Sequence, residues 1–401
     1  MGSARAYVPK HLAGAAAPPP RPRWPLPVLA AGLLAGIGGL VVLTPGGGPD
    51  TRSTDTTLAA DAGEIAVCTR ASLEDRAALT LVVGLPGVTD ATDPLVDQLA
   101  GSGVGGVMLR DENILDEEQA VELVEGLRAR LGEQLLVAID DEGGRVTAMG
   151  ALDQPVHSAR TLGQLGTDET REFAHEMGEL ARSIGVDWVF APVVDLDDGP
   201  AQDVIGDRSF GTDPGEVSAA ATAFASGLRA EGLAITAKHF PGHGRSGGDP
   251  HLGVSVDDST LDDLQAADLL PFRALIDDGA EAVMVGHVAY PAIWGDEPAS
   301  LVPGVYELLR EQGFTGVAIT DALGMGAVHA RYGFEVAPAM ALAAGADAVL
   351  VNQGDQVEVL HHGVVDAVDD GRLDEARLDE AVGRVLQLRG QPSEGIVCPS
   401  A

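Results

Sequence analysis

PGEVSAAATAFASGLRAEGLAITAKHF, residues 214–240, is the stretch that decides the fold. Residues 214–232 carry apolar side chains with helical periodicity. Residues 234–240 then form a short apolar run that ends in the polar pair Lys238 and His239. Together they predict a helix that leads into a buried β-strand.

Seven further short apolar runs follow the same pattern along the chain. They are LTLVVGLP (79–86), GGVMLR (105–110), LLVAID (135–140), DWVFAPVVD (187–195), AVMVGHV (282–288), GVAITDA (316–322) and DAVLVN (347–352). Segments with helical periodicity separate them, such as EEQAVELVEGLRARLG (117–132). An alternation of strand and helix repeated eight times predicts an α/β fold, a single (β/α)8 TIM barrel of parallel strands. A doubly wound open sheet is the alternative, although no G-x-G-x-x-G follows the first strand.

Polar residues stand where several predicted strands end. They are Asp140, Asp195, Lys238, His239, His287 and Asp321. The carboxyl ends of barrel strands form the face on which active sites lie, so this recurrence predicts a functional site there. A single strand-end aspartate can also be the N-cap of the next helix. We expect Asp195 to hold Lys238 or Arg208 and not to touch a substrate.

The overall charge excludes one class of partner. The formal net charge is -36 and the acidic residues are spread along the chain. Such a surface repels phosphate backbones, so we expect no nucleic-acid partner. The 45% hydrophobic content is sufficient for a core.

The N-terminal region differs in composition from the rest of the chain. The first 49 residues contain no Asp or Glu and several Arg and Lys. We interpret residues 1–24 as a basic cytoplasmic segment, 25–48 as a signal anchor or signal peptide, 49–66 as a linker and 67–398 as the barrel domain. The protein is then expected outside the cytoplasm, either secreted or anchored in the membrane through the uncleaved apolar segment.

Two cysteines, Cys68 and Cys398, bracket nearly the whole barrel domain. In an exported chain a disulfide between them is expected if the two ends of the domain meet, as they do in a closed barrel. Two unpaired thiols are the alternative.

KHFPGHG (238–244), followed by Asp249 and His251, resembles glycoside hydrolase family 3 and, within it, the bacterial β-N-acetylglucosaminidases. Supporting matches are IDDEGGRV (139–146), FAPVVD (190–195), IGDRSFGTDP (205–214), VMVGHVAY (283–290) and ITDALGM (319–325). The resemblance extends from about residue 73 to 388. It implies a catalytic barrel. The second α/β sandwich domain found in many members is expected to be absent, because the chain ends soon after the eighth strand and a closing helix.

The resemblance implies a retaining double displacement with Asp321 as nucleophile. It makes His251 the general acid/base and Asp249 the partner that orients it, on a glycine-rich loop able to move. The chain departs from the family at Pro250, which restricts Asp249 to extended conformations. The alternatives are a helix cap for Asp321 and an ordinary turn for residues 249–251.

The resemblance further implies that four residues bind the hydroxyl groups of the sugar, namely Asp140, Arg208, Lys238 and His239. Their charged or polar groups form strong hydrogen bonds to hydroxyls. A buried Lys238–Asp140 ion pair is compatible with the same role. The family often has an Arg where this chain has Ala148. Three residues are candidates for the pocket wall, namely His243, His287 and Met325. For both histidines a purely structural role is the favoured interpretation.

The implied activity is exo-acting hydrolysis of terminal N-acetylglucosamine from peptidoglycan fragments, by a monomer without cofactor or metal. Within the family, a β-glucosidase, a β-xylosidase or an N-acetylglucosaminide phosphorylase is the alternative. A metal-dependent hydrolase with His239, His243, Asp249 and His251 as ligands is a rival, although the first strand lacks H-x-H. A catalytically inactive sugar-binding protein is a second rival interpretation. Loops 150–160 and 289–300 are expected to shape the outer subsites.

Overall fold

The computed structural model describes residues 71–154, 156–246, 248–249 and 253–391, and these all belong to one compact unit. Its strands are β1 (Leu81–Gly84), β2 (Gly106–Leu109), β3 (Leu136–Ile139), β4 (Trp188–Val189), β5 (Ala234–Phe240), β6 (Ala282–Val285), β7 (Val317–Thr320) and β8 (Val349–Val351). All eight coincide with the apolar runs that the sequence predicts. The decisive stretch itself forms a helix, Pro214–Ala230, followed by β5.

The helices alternate with the strands along the chain, with α1 before β1 and the last two helices after β8. In chain order they are α1 (Leu73–Leu79), α2 (Pro94–Leu99), α3 (Glu117–Leu131), α4 (Ala159–Leu165), α5 (Thr167–Ser183), α6 (Pro214–Ala230), α7 (Leu261–Ala266), α8 (Leu269–Asp277), α9 (Pro303–Glu311), α10 (Gly326–His329), α11 (Ala337–Ala344), α12 (Val357–Asp369) and α13 (Glu375–Leu388). The cap of α6 shows why this segment is helical. Asp213 accepts hydrogen bonds from the first turn and Pro214 occupies a position where its missing N–H is not needed.

The strands form one parallel sheet in the order β7-β6-β5-β4-β3-β2-β1-β8. The sheet closes on itself where Ile319 of β7 bridges to Ala348, just before β8. The Thr320 Oγ1 reinforces this seam by accepting the Leu350 N–H at 3.1 Å. The closed order confirms the (β/α)8 barrel and rules out the doubly wound open sheet.

Apolar side chains fill both sides of the strands. One cluster packs the strands against the helices, and a second fills the interior of the barrel. In the interior, the Trp188 indole N–H donates to Thr236 Oγ1 at 2.7 Å, and the Trp188 ring meets Phe190 edge to face. Burial on both faces explains why the strands are nearly continuous apolar runs.

Several sequence predictions fall outside the described residues. These concern the segments 1–24, 25–48 and 49–66, the Cys68–Cys398 disulfide, Pro250 and His251. Among the residues that are described, no helix combines the length and the hydropathy needed to cross a bilayer.

Candidate active site

A cavity of about 220 Å³ opens at the carboxyl ends of the strands. Its wall includes the site residues Asp140, Arg208, Lys238, His239, His243, Asp321 and Met325, together with Met108, Arg110, Val146, Val204, Met284, Ala322, Leu350 and Asn352. The predicted strand-end residues therefore meet at one place, as the barrel geometry requires.

Asp321 lies in this cavity immediately after β7 and is partly exposed. Its backbone N–H donates to the Val285 carbonyl at 2.9 Å, and its Oδ1 accepts the Ala322 N–H at 2.7 Å. Burial raises the pKa of Asp321, but His287, His239 and the Ala322 N–H outweigh it and bring the pKa to about 2. The carboxylate is therefore ionised at neutral pH and able to act as a nucleophile.

Two cations and two carboxylates form a buried network beside it. Lys238 Nζ lies 2.6 Å from both Asp140 Oδ1 and Glu142 Oε1. Arg208 holds Glu142 in a bidentate pair, with both contacts at 2.7 Å. Burial raises the pKa of Glu142, yet Arg208 and Lys238 hold that pKa well below its usual range. The Lys238–Asp140 ion pair that the sequence allowed is confirmed.

Glu142 is the central member of this network, and sequence reasoning missed its role. It is 4% exposed and joins two residues that the resemblance places against sugar hydroxyls. Its position in the acidic run 140–142, directly after β3, was the signal that could have found it.

Asp141 fixes the loop that carries Glu142. Its fully buried carboxylate accepts hydrogen bonds from the backbone N–H groups of Gly143 and Met149 and from Thr147 Oγ1. Burial raises the pKa of Asp141 to about 6 against the effect of these bonds. Ala148 in the same loop is buried in the core, so it presents no polar group to the cavity.

Asp195 supports the histidines, and its predicted pairing with Lys238 or Arg208 is wrong. Its Oδ2 lies 2.7 Å from His239 Nδ1, and its Oδ1 accepts the His243 N–H at 2.8 Å. Beyond β4, Val193 bridges in parallel to Lys238 of β5, which brings Asp195 beside His239. The contact fixes the His239 ring, with its Nε2 facing the cavity side 3.4 Å from an Arg208 nitrogen.

His243 and His287, which the sequence assigns either to the pocket wall or to a structural role, have different surroundings. His287 is fully buried, with Nδ1 2.7 Å from Ser300 Oγ and Nε2 3.0 Å from the Ala322 carbonyl oxygen, which agrees with a structural role. His243 lines the cavity, and its Nδ1 lies 2.9 Å from Ser246 Oγ. Among the residues that the structure describes, its Nε2 meets no hydrogen-bond partner. Burial, and then the charge of His239, lower the pKa of His243.

Asp249 is half-buried on the loop that follows His243. With His243, Val204 and Gly248 it lines a neighbouring cavity of about 480 Å³, so the loop adjoins the catalytic cavity through two shared residues. The position of His251 relative to Asp249 lies outside the described residues, and the predicted dyad stays a prediction.

Two polar wall residues, Arg110 and Asn352, were not among the predicted site residues. Both end predicted strand runs, so the rule that found Asp140 and Asp321 also applies to them. Asn352 packs over Gly84, where a Cβ would lie 2.6 Å from the Asn352 carbonyl oxygen and is therefore sterically excluded. The Asn352 Oδ1 has no hydrogen-bond partner in the described part of the chain.

The predicted metal ligands are not arranged as a cluster within the described part of the chain. There, the group with metal-like spacing is His175, Glu179 and Glu231, on the outer helices. The arginine beside His239 Nε2 places a cation where a metal ion would bind.

These features define a carbohydrate-processing type of site on a barrel, and comparison with known proteins agrees. The chain matches the model of the glycosyl hydrolase family 3 N-terminal domain over residues 77–388. It is 38% identical to the beta-hexosaminidase LpqI of Mycobacterium tuberculosis, over 90% of this chain and 97% of that protein. The chain belongs to glycosyl hydrolase family 3 and is a glycoside hydrolase.

Two solved structures show the same architecture. A family 3 glycosyl hydrolase from Mycobacterium smegmatis aligns with a TM-score of 0.74 at 38% identity, covering 79% of this chain and 97% of that one. A family 3 beta-N-acetylglucosaminidase from Paenibacillus aligns with a TM-score of 0.75 at 33% identity, covering 82% of this chain and 64% of that one.

Proposed function

We propose that this protein is a retaining, exo-acting β-N-acetylglucosaminidase that removes terminal N-acetylglucosamine from peptidoglycan-derived fragments. The observation that carries the proposal is the placement of an ionised Asp321 in a small cavity that Lys238 and Arg208 also line. Relatives named beta-hexosaminidase and beta-N-acetylglucosaminidase support the choice of sugar.

Substrate recognition follows from the ion pairs. Lys238 and Arg208 are held by carboxylates and retain N–H donors, while the half-exposed Asp140 retains acceptor capacity. Such a rigid set binds the hydroxyl groups of one sugar ring through charge-assisted hydrogen bonds. A cavity of about 220 Å³ suits a single terminal sugar, which supports exo-action.

In the first step, an Asp321 oxygen forms a bond to the anomeric carbon while the bond from that carbon to the leaving oxygen breaks. His251, as imidazolium, gives its proton to the leaving oxygen, so the aglycone departs as a neutral alcohol. Asp249 stabilises the imidazolium and holds its orientation.

In the second step, the now neutral His251 takes a proton from water as the water oxygen attacks the anomeric carbon. The bond to Asp321 breaks and the carboxylate is regenerated. Two inversions at one carbon give net retention. The low pKa of Asp321 makes its carboxylate a good leaving group in this step.

The location of the protein is part of the proposal. The basic and apolar N-terminal segments support export, and peptidoglycan lies outside the cytoplasmic membrane. We infer that the barrel acts there, secreted or held at the outer face of the membrane.

The test is release of nitrophenol from the β-N-acetylglucosaminide and, in parallel, from the β-glucoside. We expect the unaltered chain to prefer the acetamido sugar and His251→Ala to lose most of that activity. The matched control is His362→Ala, an exposed histidine on α12, which should be unaffected. Preference for the glucoside would contradict the proposed substrate, and full activity of His251→Ala would contradict the dyad.

A second measurement addresses mechanism and acceptor. Proton NMR of the fresh reaction should show the β-anomer of the sugar as first product, whereas an α-anomer would exclude retention. Turnover that requires phosphate and yields a sugar phosphate would identify a phosphorylase instead of a hydrolase.

A further inference from the structure

Arg110 stands at the carboxyl end of β2, in the wall of the catalytic cavity, and is exposed. Its backbone is held rigidly, because its N–H donates to Asn113 Oδ1 at 2.8 Å. Asn113 is itself buried and donates to the carbonyls of Leu85 and Val88 at 2.6 and 2.8 Å. The loop therefore presents Arg110 from a fixed position.

The side chain of Arg110 differs from the other cations of the barrel. Every other lysine and arginine in the described ranges contacts a carboxylate, carbonyl or amide oxygen of the protein. Within those same ranges, the Arg110 guanidinium has no such contact. An unpaired arginine in a chain with 61 acidic and 25 basic residues is notable, because carboxylates are abundant.

The three cations of the cavity wall differ in whether a protein carboxylate neutralises them. Lys238 and Arg208 also line the wall, but Asp140 and Glu142 neutralise them. Among the lysines and arginines of the described wall, Arg110 therefore keeps a positive charge that is available to a ligand. A guanidinium can bind a carboxylate through two parallel hydrogen bonds.

Arg110 is exposed, whereas Lys238 and His239 in the same wall are buried, so it stands at the rim and not around the single sugar. We propose that Arg110 is a specificity-determining residue that binds a carboxylate on the group attached to the cleaved sugar. The inference rests on the proposed function and narrows it to substrates with an anionic aglycone. Among peptidoglycan fragments, the lactyl carboxylate of a muramic acid residue has this chemistry. In a protein of net charge -36, such a positive group also offsets the general repulsion of an anionic substrate.

The experiment uses the full chain and a matched pair of substrates, the N-acetylglucosaminyl-muramic acid disaccharide and the same disaccharide with its carboxylate converted to a carboxamide. We expect Arg110→Gln to raise KM for the acid about tenfold, as loss of a charge-assisted pair does. KM for the carboxamide and for the nitrophenyl glycoside should stay within about twofold. Arg110→Lys should recover part of the loss on the acid.

The control variant is Arg171→Gln, which removes the same charge from the exposed face of α5, where Arg171 pairs with Asp168. It should leave all three substrates unchanged. Equal losses on acid and carboxamide, or no loss on either, would overturn the role of Arg110. A loss confined to phosphate-dependent turnover would overturn it too, since the bound anion would then be inorganic phosphate. If the unaltered chain does not hydrolyse the nitrophenyl N-acetylglucosaminide, that result contradicts the proposed function itself. It is distinguishable from the outcomes above, which concern Arg110 alone.

Discussion

Two aspartates at opposite ends of the barrel, Asp347 just before β8 and Asp321 just after β7, show how one fold uses the same side chain for different purposes. Asp347, at the amino end, is fully buried and lies within 2.5 to 2.9 Å of Arg310, Arg377 and Arg384, while it also accepts the Ala318 N–H. Asp321, at the carboxyl end, accepts one hydrogen bond within the described residues, from the Ala322 N–H.

The difference lies in how much of each carboxylate is already occupied. Three guanidinium groups saturate Asp347, which ties α9 and α13 to the bottom of the barrel. Asp321 is instead kept ionised by charges at a distance, with an oxygen left open towards the cavity. A structural carboxylate is surrounded by partners, and a nucleophilic one must keep a free direction of approach.

Asp321→Asn should have the largest effect. The amide cannot form the glycosyl ester, so we expect kcat/KM on the nitrophenyl N-acetylglucosaminide to fall about 10⁴-fold. The unfolding midpoint should change little, because Asp321 has few structural partners. A variant that retains more than a tenth of the activity would show that another group is the nucleophile.

Asp347→Asn should show the opposite pattern. It leaves three arginines without their common counter-charge, and we expect the free energy of unfolding to fall by about 3–5 kcal/mol. Urea denaturation measures this loss. Under conditions where the variant is folded, kcat should be within about twofold of the original. A loss of kcat without a loss of stability would contradict the structural role.

Asp141 is a third carboxylate for comparison, fully buried and held by N–H and O–H donors, with no direct cation among the described residues. Because burial raises the pKa of Asp141 to about 6, the folded protein keeps a proton between pH 4 and 6 that the unfolded chain has released. This contribution to the free energy of unfolding is present below pH 4 and falls by about 3 kcal/mol as the pH rises to 6.

Asp141→Asn cannot titrate, so the difference in unfolding free energy between it and the original chain should shift by that amount over this range. Urea titrations at pH 4.5 and 7 should record about 2 kcal/mol of this shift, since about 1.5 of the roughly 2.2 pH units lie above pH 4.5. A constant difference at both pH values would show that the donors keep Asp141 ionised in the folded state.

The fold could be predicted from the sequence because each strand is buried on both faces. This burial makes all eight strands visible as short apolar runs. Strand ends were less predictable: the run 187–195 contains only two strand residues, Trp188 and Val189. Pro192 has no N–H to donate to a neighbouring strand, which helps explain why the regular ladder stops early.

The candidate site was predictable only in part. Strand-end position alone pointed to Asp140, Lys238, His239 and Asp321, since the barrel brings strand ends together. The position of a residue in the sequence does not show which side chain it pairs with. For that reason Glu142 was missed and Asp195 was predicted to have the wrong partners. Which charges neutralise each other depends on side-chain directions across neighbouring strands.

The amide of Asn113 has a consequence for how this enzyme can change over evolutionary time. It hydrogen-bonds the backbone of residue 110 to the loop after β1. The position of this backbone therefore does not depend on which side chain residue 110 carries. The side chain at position 110 makes no contact with this loop framework within the described residues. Under the role proposed for Arg110, we therefore expect one substitution there to alter substrate preference without a compensating change elsewhere. Position 113 lacks that freedom, because its amide accepts the Arg110 N–H and also donates to the carbonyls of Leu85 and Val88.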